Sequence, residues 1–537
     1  MADNPYIKKN GEKLEVTAAG IEHLKNIVTD PIGPIYAFTG NADPIMIAAA
    51  MARLSRNQND LRLIYLSEFA MRENVASNFI EKVTAEFGDD SVKQLAYAFL
   101  VVESASNLLT KLLEWGRLAG YLEQSTRYIY FDKKTKDGRY KYYVPALRLG
   151  HTADYCLYMD QIFDKYSSVV RQATEYVRKA HPLPNTATAE EKSAWIATTR
   201  AQACDAARAL LPVATQSTVA IVATAQSIEN LIYFLSSQTL IEAQKTASDI
   251  LRESKKVLGA FLKRAEQPER GGAAVMYRQD VRDAVRKLVK EIFKYKDAPI
   301  KSAAEVTLVN HWPKGDELNI LVPEMIFADS EMPLPMLKKI VKNWPREQKL
   351  NIFSAYAGNR LNYRQKPGRA FETIHYEWEL FIDYGIFRDL QRHRMLDMPE
   401  WQRLTTYYGY ETPQLIKDAG LTESFENCFE ISDHLFRMLR NAGYGEIAQY
   451  ATLLGHKMRF RFVENARQAF HMHELRTKPE GHPGYRKIVN EMHRKLCEVH
   501  PLIGAAMKFV NKGEDPALTR MAAELATQRK LALLEQN

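Results

Sequence analysis

The stretches EWGRLAGYLEQSTRY at residues 114–128 and LQRHRMLDMPEWQRL at residues 390–404 decide how this chain is organised, because they align loosely with each other. The similarity continues downstream. Arg208 is followed seventeen residues later by Ala225, and Gln449 is followed seventeen residues later by Ala466. A shared spacing in two parts of one chain is typical of an internal repeat. We therefore predict two related halves fused in tandem.

The boundary between the halves is predicted from composition. The polar, Pro- and Gly-containing segment QPERGGA at 267–273 interrupts a helical region, and KDAPIKSAAE at 296–305 is a second irregular stretch. With 537 residues the chain is long enough for each half to bury its own core. We predict a first half at 1–265, a linker region at 266–305 and a second half at 306–537.

Hydrophobic periodicity predicts a mostly helical α+β fold, without the regular βαβ alternation of a parallel sheet. Apolar stripes predict helices over Leu108–Leu118, Ile250–Leu262, Arg282–Phe293 and Leu337–Trp344, and the uncharged run Ala209–Ile228 is interpreted as a buried helix. Strands are predicted at Pro34–Phe38, Val306–Asn310 and Glu317–Val322, with a hairpin formed by Tyr128–Asp132 and Tyr140–Val144.

Composition limits the class of protein. Hydrophobic residues make up 46% and charged residues 26% of the chain, which excludes a disordered or collagen-like protein. The four cysteines form no CxxC pair, and the first residues lack the apolar core of a signal peptide, so we expect a cytoplasmic protein without a membrane span. The net charge of +8 is spread along the chain and fits either an anionic ligand or a solvated surface.

Two basic motifs could bind phosphate. Arg392-His393-Arg394 ends a predicted helix, where two planar guanidiniums can converge on one anion, although a basic helix end would also interact favourably with the helix dipole. In Glu123-Gln124-Ser125-Thr126-Arg127, the hydroxyl and the arginine could hold a phosphate while the carboxylate accepts from a substrate. The alternative is a simple Glu–Arg pair on a helix.

A third cluster contains Asn465-Ala466-Arg467, Arg476 and His482. The nearby His471 and His473 could suggest a metal site. Residues two apart on a helix diverge by about 200°, however, and no HExxH pattern is present, so we expect no metal.

Together these clusters resemble the flavin-dependent thymidylate synthases, whose signature is an Arg-His-Arg triplet followed by Glu-x-Ser-x-Arg-Tyr. Here the signature is divided between the halves. The second half keeps Arg392–Arg394 but has Trp401 and Gln402 near the position of the serine. The first half keeps Glu123–Tyr128 but has Trp115-Gly116-Arg117 in place of the triplet.

Other positions that match the family are divided in the same way. Arg208 in AARALLP resembles the family's nucleotide-binding arginine, where the second half has Gln449. The Asn-Ala-Arg, Leu-Arg and His elements match residues of the second half, and Glu372 lies in RAFE, which resembles a segment that meets the flavin. The resemblance spans about residues 30–515 and is to a long, tandem form of the family.

The resemblance implies reductive methylation of dUMP at C5, with methylene-tetrahydrofolate as carbon donor, FAD as hydride source and NADPH as reductant. It implies that Arg476 polarises a uracil carbonyl and that Arg392 bridges nucleotide and flavin, both as catalytic residues. The implied dUMP-binding residues are Glu123, Ser125, Arg127, Arg208 and Arg392. The implied FAD-binding residues are Glu372, Arg392, His393, Arg394, Asn465, Arg467 and His482.

The ordinary short enzymes of the family build each site between subunits of a homotetramer. The resemblance therefore implies that this chain is a pseudo-dimer and that two chains form a homodimer equivalent to a tetramer. Two alternatives stay open: a flavin-dependent methylase of UMP or another pyrimidine nucleotide, and a non-catalytic nucleic-acid-binding protein on a decayed scaffold. We expect no nucleic-acid partner.

Overall fold

The computed structural model describes residues 4–11, 13–54, 57–71, 75–80, 90–293, 304–513, 518 and 520–535. Part of the predicted linker, residues 294–303, lies outside this description. The chain forms two compact units. The first contains residues 1–105, 109–124 and 217–296, and the second contains 106–108, 125–216 and 297–537. Residues 125–216 belong to the predicted first half but pack within the second unit. The predicted halves are defined by duplicated sequence rather than by packing, so their boundaries stay a prediction.

The described strands and helices follow in chain order. The strands are β1 (Ile7–Asn10), β2 (Lys13–Val16), β3 (Tyr97–Ser106), β4 (Ala119–Glu123), β5 (Gln216–Thr224), β6 (Val306–Trp312), β7 (His375–Asp383), β8 (Asp397–Trp401) and β9 (Lys457–Asn465). The helices up to the linker are α1 (Ala18–Ile27), α2 (Pro44–Arg53), α3 (Leu61–Ile64), α4 (Asn107–Leu113), α5 (Leu149–Ala180), α6 (Ala189–Ala207), α7 (Ala225–Ser236), α8 (Ile241–Glu266) and α9 (Ala273–Ile292). The later helices are α10 (Glu317–Ile326), α11 (Leu334–Lys342), α12 (Arg346–Ala357), α13 (Tyr384–Gln391), α14 (Gln414–Asp418), α15 (Thr422–Asn441), α16 (Ala466–Arg476), α17 (Pro483–Val499), α18 (Pro501–Ala506) and α19 (Met521–Glu535).

The same topology occurs twice. One sheet has the order β3-β5-β4 and the other has the order β6-β7-β9-β8, so β7, β9 and β8 repeat β3, β5 and β4. In both repeats a helix follows the first strand, α4 or α13, and another follows the middle strand, α7 or α16. Thr224 and Asn465 cap these last helices at equivalent positions. The predicted tandem α+β fold is confirmed.

The core of the second unit lies on the β7–β9 pair. These strands run antiparallel from His375 opposite Asn465 to Asp383 opposite Lys457. Trp378 on β7 is fully buried and donates a 2.9 Å hydrogen bond to Glu464. A buried indole with a satisfied N–H stabilises the sheet through both packing and polarity.

Several predicted elements are confirmed. Ile250–Leu262 lies inside α8, Arg282–Phe293 overlaps α9, Leu337–Trp344 overlaps α11, and Val306–Asn310 lies inside β6. The predicted helix at Leu108–Leu118 ends earlier, at Leu113, and Leu118 is 72% exposed just before β4.

Other predicted elements are wrong. Glu317–Val322 is helical rather than a strand, because Asp316 accepts from the Asn319 N–H and caps α10. Ala209–Ile228 is no single helix: it contains Pro212, then β5 and the start of α7. The Lys133–Gly138 turn forms, but the flanking tyrosines pack on α5 instead of pairing as strands, with Tyr140 stacked on Phe163. The predicted strand Pro34–Phe38 does not form: its backbone pairing is limited to an isolated bridge from Phe38 to Val28 and a hydrogen bond from the Thr29 N–H to the Ala37 carbonyl.

Within the described ranges no helix is long and apolar enough to cross a membrane.

Candidate functional site

Five arginines and two aspartates meet inside the second unit, and we call them the arginine cluster: Arg127, Arg208, Arg392, Arg476, Arg520, Asp205 and Asp389. Arg127 and Arg208 come from the predicted first half, whereas Arg392 and Arg476 come from the second. The structure thus brings together nucleotide-binding candidates from both halves.

Asp389 is the centre of one side of the arginine cluster. Its Oδ2 accepts from Nη1 and Nη2 of Arg208 at 3.2 and 3.3 Å, and its Oδ1 accepts from Arg392 Nη2 at 3.1 Å. Its backbone carbonyl accepts from Arg476 at 2.5 Å. Burial by itself would raise the pKa of Asp389, but the surrounding guanidiniums hold it well below its usual range. Asp389 therefore stays ionised.

Asp205 is the centre of the other side. Arg127 donates two parallel hydrogen bonds to its carboxylate, from Nε at 2.7 Å and from Nη2 at 2.8 Å. Arg520 donates a third hydrogen bond at 3.2 Å. Burial disfavours the Arg127 cation, but Asp205 more than offsets this effect and the pKa of Arg127 is raised. Such a bidentate pair fixes the planar guanidinium in one orientation.

Tyr485, on α17, connects the two sides. The guanidiniums of Arg127 and Arg476 lie 5.6 and 5.3 Å from its ring centre, and its hydroxyl lies 3.3 Å from Arg127 Nη1. The negative face of an aromatic ring attracts cations at such distances. Tyr485 therefore helps to hold two like charges near each other.

Both histidines predicted to line FAD form hydrogen bonds to protein groups. Nε2 of His393 accepts from Arg476 Nε at 2.8 Å, and its Nδ1 lies 3.2 Å from the Gln468 amide. Nδ1 of His482 accepts from the Gly484 N–H at 3.0 Å, so its Nε2 donates to the Asp205 carbonyl, also at 3.0 Å. Burial and nearby arginines lower the pKa of both rings well below the ordinary value. Both are neutral.

Three further FAD candidates, Asn465, Arg467 and Glu372, lie near the start of α16. Asn465 caps this helix by accepting from the Gln468 N–H at 2.8 Å. Arg467 donates to the Pro367 carbonyl and to Glu372, while Glu372 also pairs with the exposed Arg369. Arg394 is exposed.

The predicted dUMP residues before Arg127 divide between the units. Ser125 lies in the second unit, and its hydroxyl accepts from the Arg127 N–H at 3.2 Å. Glu123 lies in the first unit, buried against Lys111 at 2.9 Å, and Lys111 also pairs with Glu114. Glu123 is thus one member of a buried ion triad.

A cavity of about 830 Å³ in the second unit borders the arginine cluster, because Asp205 and His482 belong to its wall. Asp383, the cap of α13, also lines it, and burial raises the pKa of this carboxyl to about 6. Lys457 and Lys487 lie on its wall and both pair with Glu305. The cavity therefore combines cationic and acidic groups.

Sequence reasoning missed Asp205, Asp389, Arg520 and Tyr485. A signal was present for the aspartates, since each stands three residues before a predicted arginine, Arg208 or Arg392. That spacing would have paired Asp205 with Arg208 on one helix turn. Instead Asp205 binds Arg127, and Arg208 binds Asp389. These pairings depend on the tertiary fold and not on local spacing.

No group of His, Cys, Asp and Glu residues in the described part of the chain is arranged to hold a metal ion.

Comparison with known proteins assigns the family. Residues 37–258 and 307–502 match the family model Thy1, described as thymidylate synthase complementing protein. These ranges cover more than half of the chain, and the chain belongs to this family. The two ranges fall in the two predicted halves, which confirms the resemblance to a tandem form.

Similar relatives have the same long form. A UPF0159 protein of Chlamydia muridarum (strain MoPn / Nigg) is 31% identical over 513 residues, which cover 92% of this chain and 95% of the relative. A UPF0159 protein of Chlamydia pneumoniae is 30% identical, with 93% and 96% coverage. The UPF0159 protein Ta1429 of Thermoplasma acidophilum is 28% identical, with 89% and 97% coverage.

Among solved structures, the UMP/dUMP methylase PolB from Streptomyces cacaoi bound with 5-Br dUMP is 14% identical to this chain. The match covers 39% of this chain and 96% of that chain, with a TM-score of 0.31.

Proposed function

We propose that this protein is a flavin-dependent thymidylate synthase. It would methylate dUMP at C5 with methylene-tetrahydrofolate as carbon donor and with FAD reduced by NADPH. The observation that supports this most directly is the arginine cluster. Its five guanidiniums exceed its two carboxylates by three positive charges, an excess suited to a nucleotide phosphate.

In this proposal Arg127 and Arg208 bind the phosphate, and Ser125 supports the loop that carries Arg127. The Nε and Nη2 groups of Arg127 already donate to Asp205. Nucleotide binding would therefore replace the Asp205 carboxylate with the phosphate as the partner of Arg127. The guanidinium itself needs no new desolvation because it is already buried, and Arg520 keeps a hydrogen bond to Asp205 when Arg127 turns to the phosphate.

Arg476 is proposed to polarise a uracil carbonyl. The Asp389 carbonyl and His393 fix two of its donor positions, which leaves a rigid cation rather than a mobile one. Because His393 is neutral, it orients Arg476 without adding a competing charge. A fixed donor directed at developing negative charge is the most effective electrostatic contribution to catalysis.

The residues assigned to FAD fit its chemistry. Arg467 and Arg394 offer guanidiniums for a pyrophosphate, and capping of α16 by Asn465 uses its oxygen and leaves its amide N–H groups as donors. Glu372 holds Arg467 in place at 3.2 Å. When bound, the flavin supplies hydride chemistry that no amino acid side chain provides.

The visible absorption spectrum of the purified protein, before and after addition of dUMP, is the first test. The proposal expects a bound-flavin spectrum that changes with dUMP, and subsequent formation of dTMP from methylene-tetrahydrofolate and NADPH. Competition between dUMP and UMP determines which nucleotide is the substrate. A protein that takes up no FAD and binds nucleic acid in a salt-dependent manner would contradict the proposal.

A further inference from the structure

Arg520 is buried in the arginine cluster although it lies close to the end of the chain. It directly precedes α19, and its side chain is only 4% exposed. Helix α19 packs on α6, the helix that carries Asp205. The matched family region ends at residue 502, so Arg520 belongs to a later segment of the chain. Its burial therefore needs an explanation from the chemistry of the cluster itself.

Three contacts fix the guanidinium of Arg520. Its Nε donates to the Glu480 carbonyl at 3.1 Å, and its Nη2 donates to Asp205 Oδ2 at 3.2 Å. The ring centre of Tyr128 lies 4.8 Å from the guanidinium, which is within the range of a cation–π contact. Together these contacts hold the planar group beside the Asp205 carboxylate.

One nitrogen of this guanidinium has no assigned partner. Arg520 Nη1 is buried and forms no hydrogen bond with any of the described residues. Buried donors are almost always hydrogen-bonded, because an unpaired donor gives up its bonds to water without replacement. An unpaired donor on a guanidinium that already contacts Asp205 indicates a second arrangement in which this donor is used.

Arg127 occupies the acceptor oxygen that Arg520 Nη1 would need. Arg127 donates to Asp205 Oδ1 through Nε and to Oδ2 through Nη2, and Oδ2 is the oxygen that it shares with Arg520. When Arg127 turns to a phosphate, Oδ1 loses its hydrogen bond. Nη1 and Nη2 of one guanidinium form a planar fork that matches the two oxygens of a carboxylate. The bond that Asp205 Oδ1 loses can thus be replaced by one from Arg520 Nη1.

The charge of Asp205 requires such a replacement. Burial raises the pKa of this carboxyl, even though the charge of Arg127 opposes the effect. A buried carboxylate that loses its cationic partner is strongly destabilised. Arg520 is a second cation in direct contact with Asp205, so it can keep the carboxylate ionised while Arg127 binds the nucleotide.

We propose that Arg520 is a positioning residue of the nucleotide site, which takes over the Asp205 carboxylate when Arg127 turns to the phosphate. Before binding, Asp205 holds Arg127 in place. After binding, both oxygens of Asp205 accept from Arg520. The segment beyond the matched family region thereby sets how readily Arg127 is released to the substrate. This inference deepens the proposed function and rests on its nucleotide site.

The test is the dUMP affinity of the full-length protein, measured by calorimetry. Arg520→Gln should weaken dUMP binding by at least about tenfold, because Arg127 can then leave Asp205 only at the cost of an unpaired buried charge. Arg520→Lys keeps the charge but not the planar fork, and it should weaken binding about three- to fivefold. The matched control is Arg529→Gln, which replaces an exposed arginine of the same helix and should bind dUMP like the wild type.

The dependence on Asp205 separates this role from direct phosphate contact and from a purely structural role. In an Asp205→Asn background no carboxylate charge has to be taken over, so Arg520→Gln should change dUMP affinity by less than about twofold. An equal loss in both backgrounds, or no loss in Arg520→Gln, would overturn the inference, while dUMP binding by the wild type would still support the proposed function. A wild type that binds neither dUMP nor UMP would overturn both proposals. If Arg520→Gln loses helical circular dichroism, Arg520→Lys decides, and wild-type dUMP affinity in that variant would overturn the exchange.

Discussion

Asp389→Asn should destabilise the protein strongly, because Asp389 is the shared anion of Arg208 and Arg392. Its side chain is 8% exposed and accepts three charged hydrogen bonds at 3.1–3.3 Å. Removing one partner of a buried ion pair costs about 3–5 kcal/mol. Asparagine keeps one acceptor oxygen, so we expect a loss of about 3 kcal/mol in the free energy of unfolding.

Urea unfolding followed by circular dichroism measures this loss. The matched control is Asp249→Asn, whose partner Arg252 is also an arginine at 2.5 Å but whose side chain is 58% exposed. A surface pair of this kind contributes at most about 1 kcal/mol. Equal unfolding midpoints for Asp389→Asn and Asp249→Asn would refute the assignment of Asp389 as the anion that neutralises this side of the arginine cluster.

The pH dependence of Asp389→Asn has a defined sign. Because the pKa of Asp389 is lowered on folding, its stabilising contribution is present above the unfolded pKa of about 3.9 and is lost only as the pH falls below that value. The difference between wild type and Asp389→Asn should therefore shrink as the pH falls below about 3.9, whereas a change near pH 6 would report Asp383, whose pKa Asp389 helps to raise. Added phosphate or dUMP should reduce it, since an anion can replace the missing carboxylate.

Three further predictions concern single residues of the site. Arg127→Ala should abolish dUMP binding, measured by calorimetry, while the flavin absorption is kept. The control is Arg171→Ala, which removes the ion pair of the exposed Arg171 with Asp132 and should bind dUMP normally. Unchanged dUMP affinity in Arg127→Ala would contradict a nucleotide site built from residues of both halves. Arg476→Ala should lower turnover by about 10²- to 10³-fold in a dTMP assay with FAD and dUMP still bound, and a wild-type rate would remove Arg476 from catalysis. The pKa of Asp383 is raised to about 6, so its contribution to stability is complete below about pH 3.9 and is lost as the pH rises through 6. Asp383→Asn should remove this decline in the free energy of unfolding, measured by urea unfolding at several pH values. The same pH dependence of the unfolding free energy in wild type and variant would contradict the prediction.

The tandem repeat could be predicted because it lies in residue spacing. The seventeen-residue distance from Arg208 to Ala225 corresponds in the structure to a short turn, β5 and the first residue of α7. The same distance from Gln449 to Ala466 contains β9. The helical end at Arg392 was likewise readable from local periodicity.

The partners within the arginine cluster could not be predicted, because they depend on contacts between distant parts of the chain. Local spacing pairs Asp205 with Arg208, but the fold pairs Asp205 with Arg127. Strand and helix assignments failed where local periodicity was ambiguous, as at Glu317, whose segment begins a helix because Asp316 caps it. In such places tertiary packing and capping outweigh hydrophobic pattern.

The sequence distance across the arginine cluster has a consequence for synthesis of the protein. Arg127 and Tyr485 are 358 positions apart, and Arg520, which binds Asp205, comes still later. The ribosome must therefore synthesise almost the whole polypeptide before the carboxylate of Asp205 can bind both Arg127 and Arg520. Since domains fold largely as they emerge, the earlier arginines spend much of translation without their second-half neighbours. A nascent chain stalled before residue 485 would carry the basic residues of the first half but could not assemble the pocket they share, so truncated products should be inactive rather than partly active.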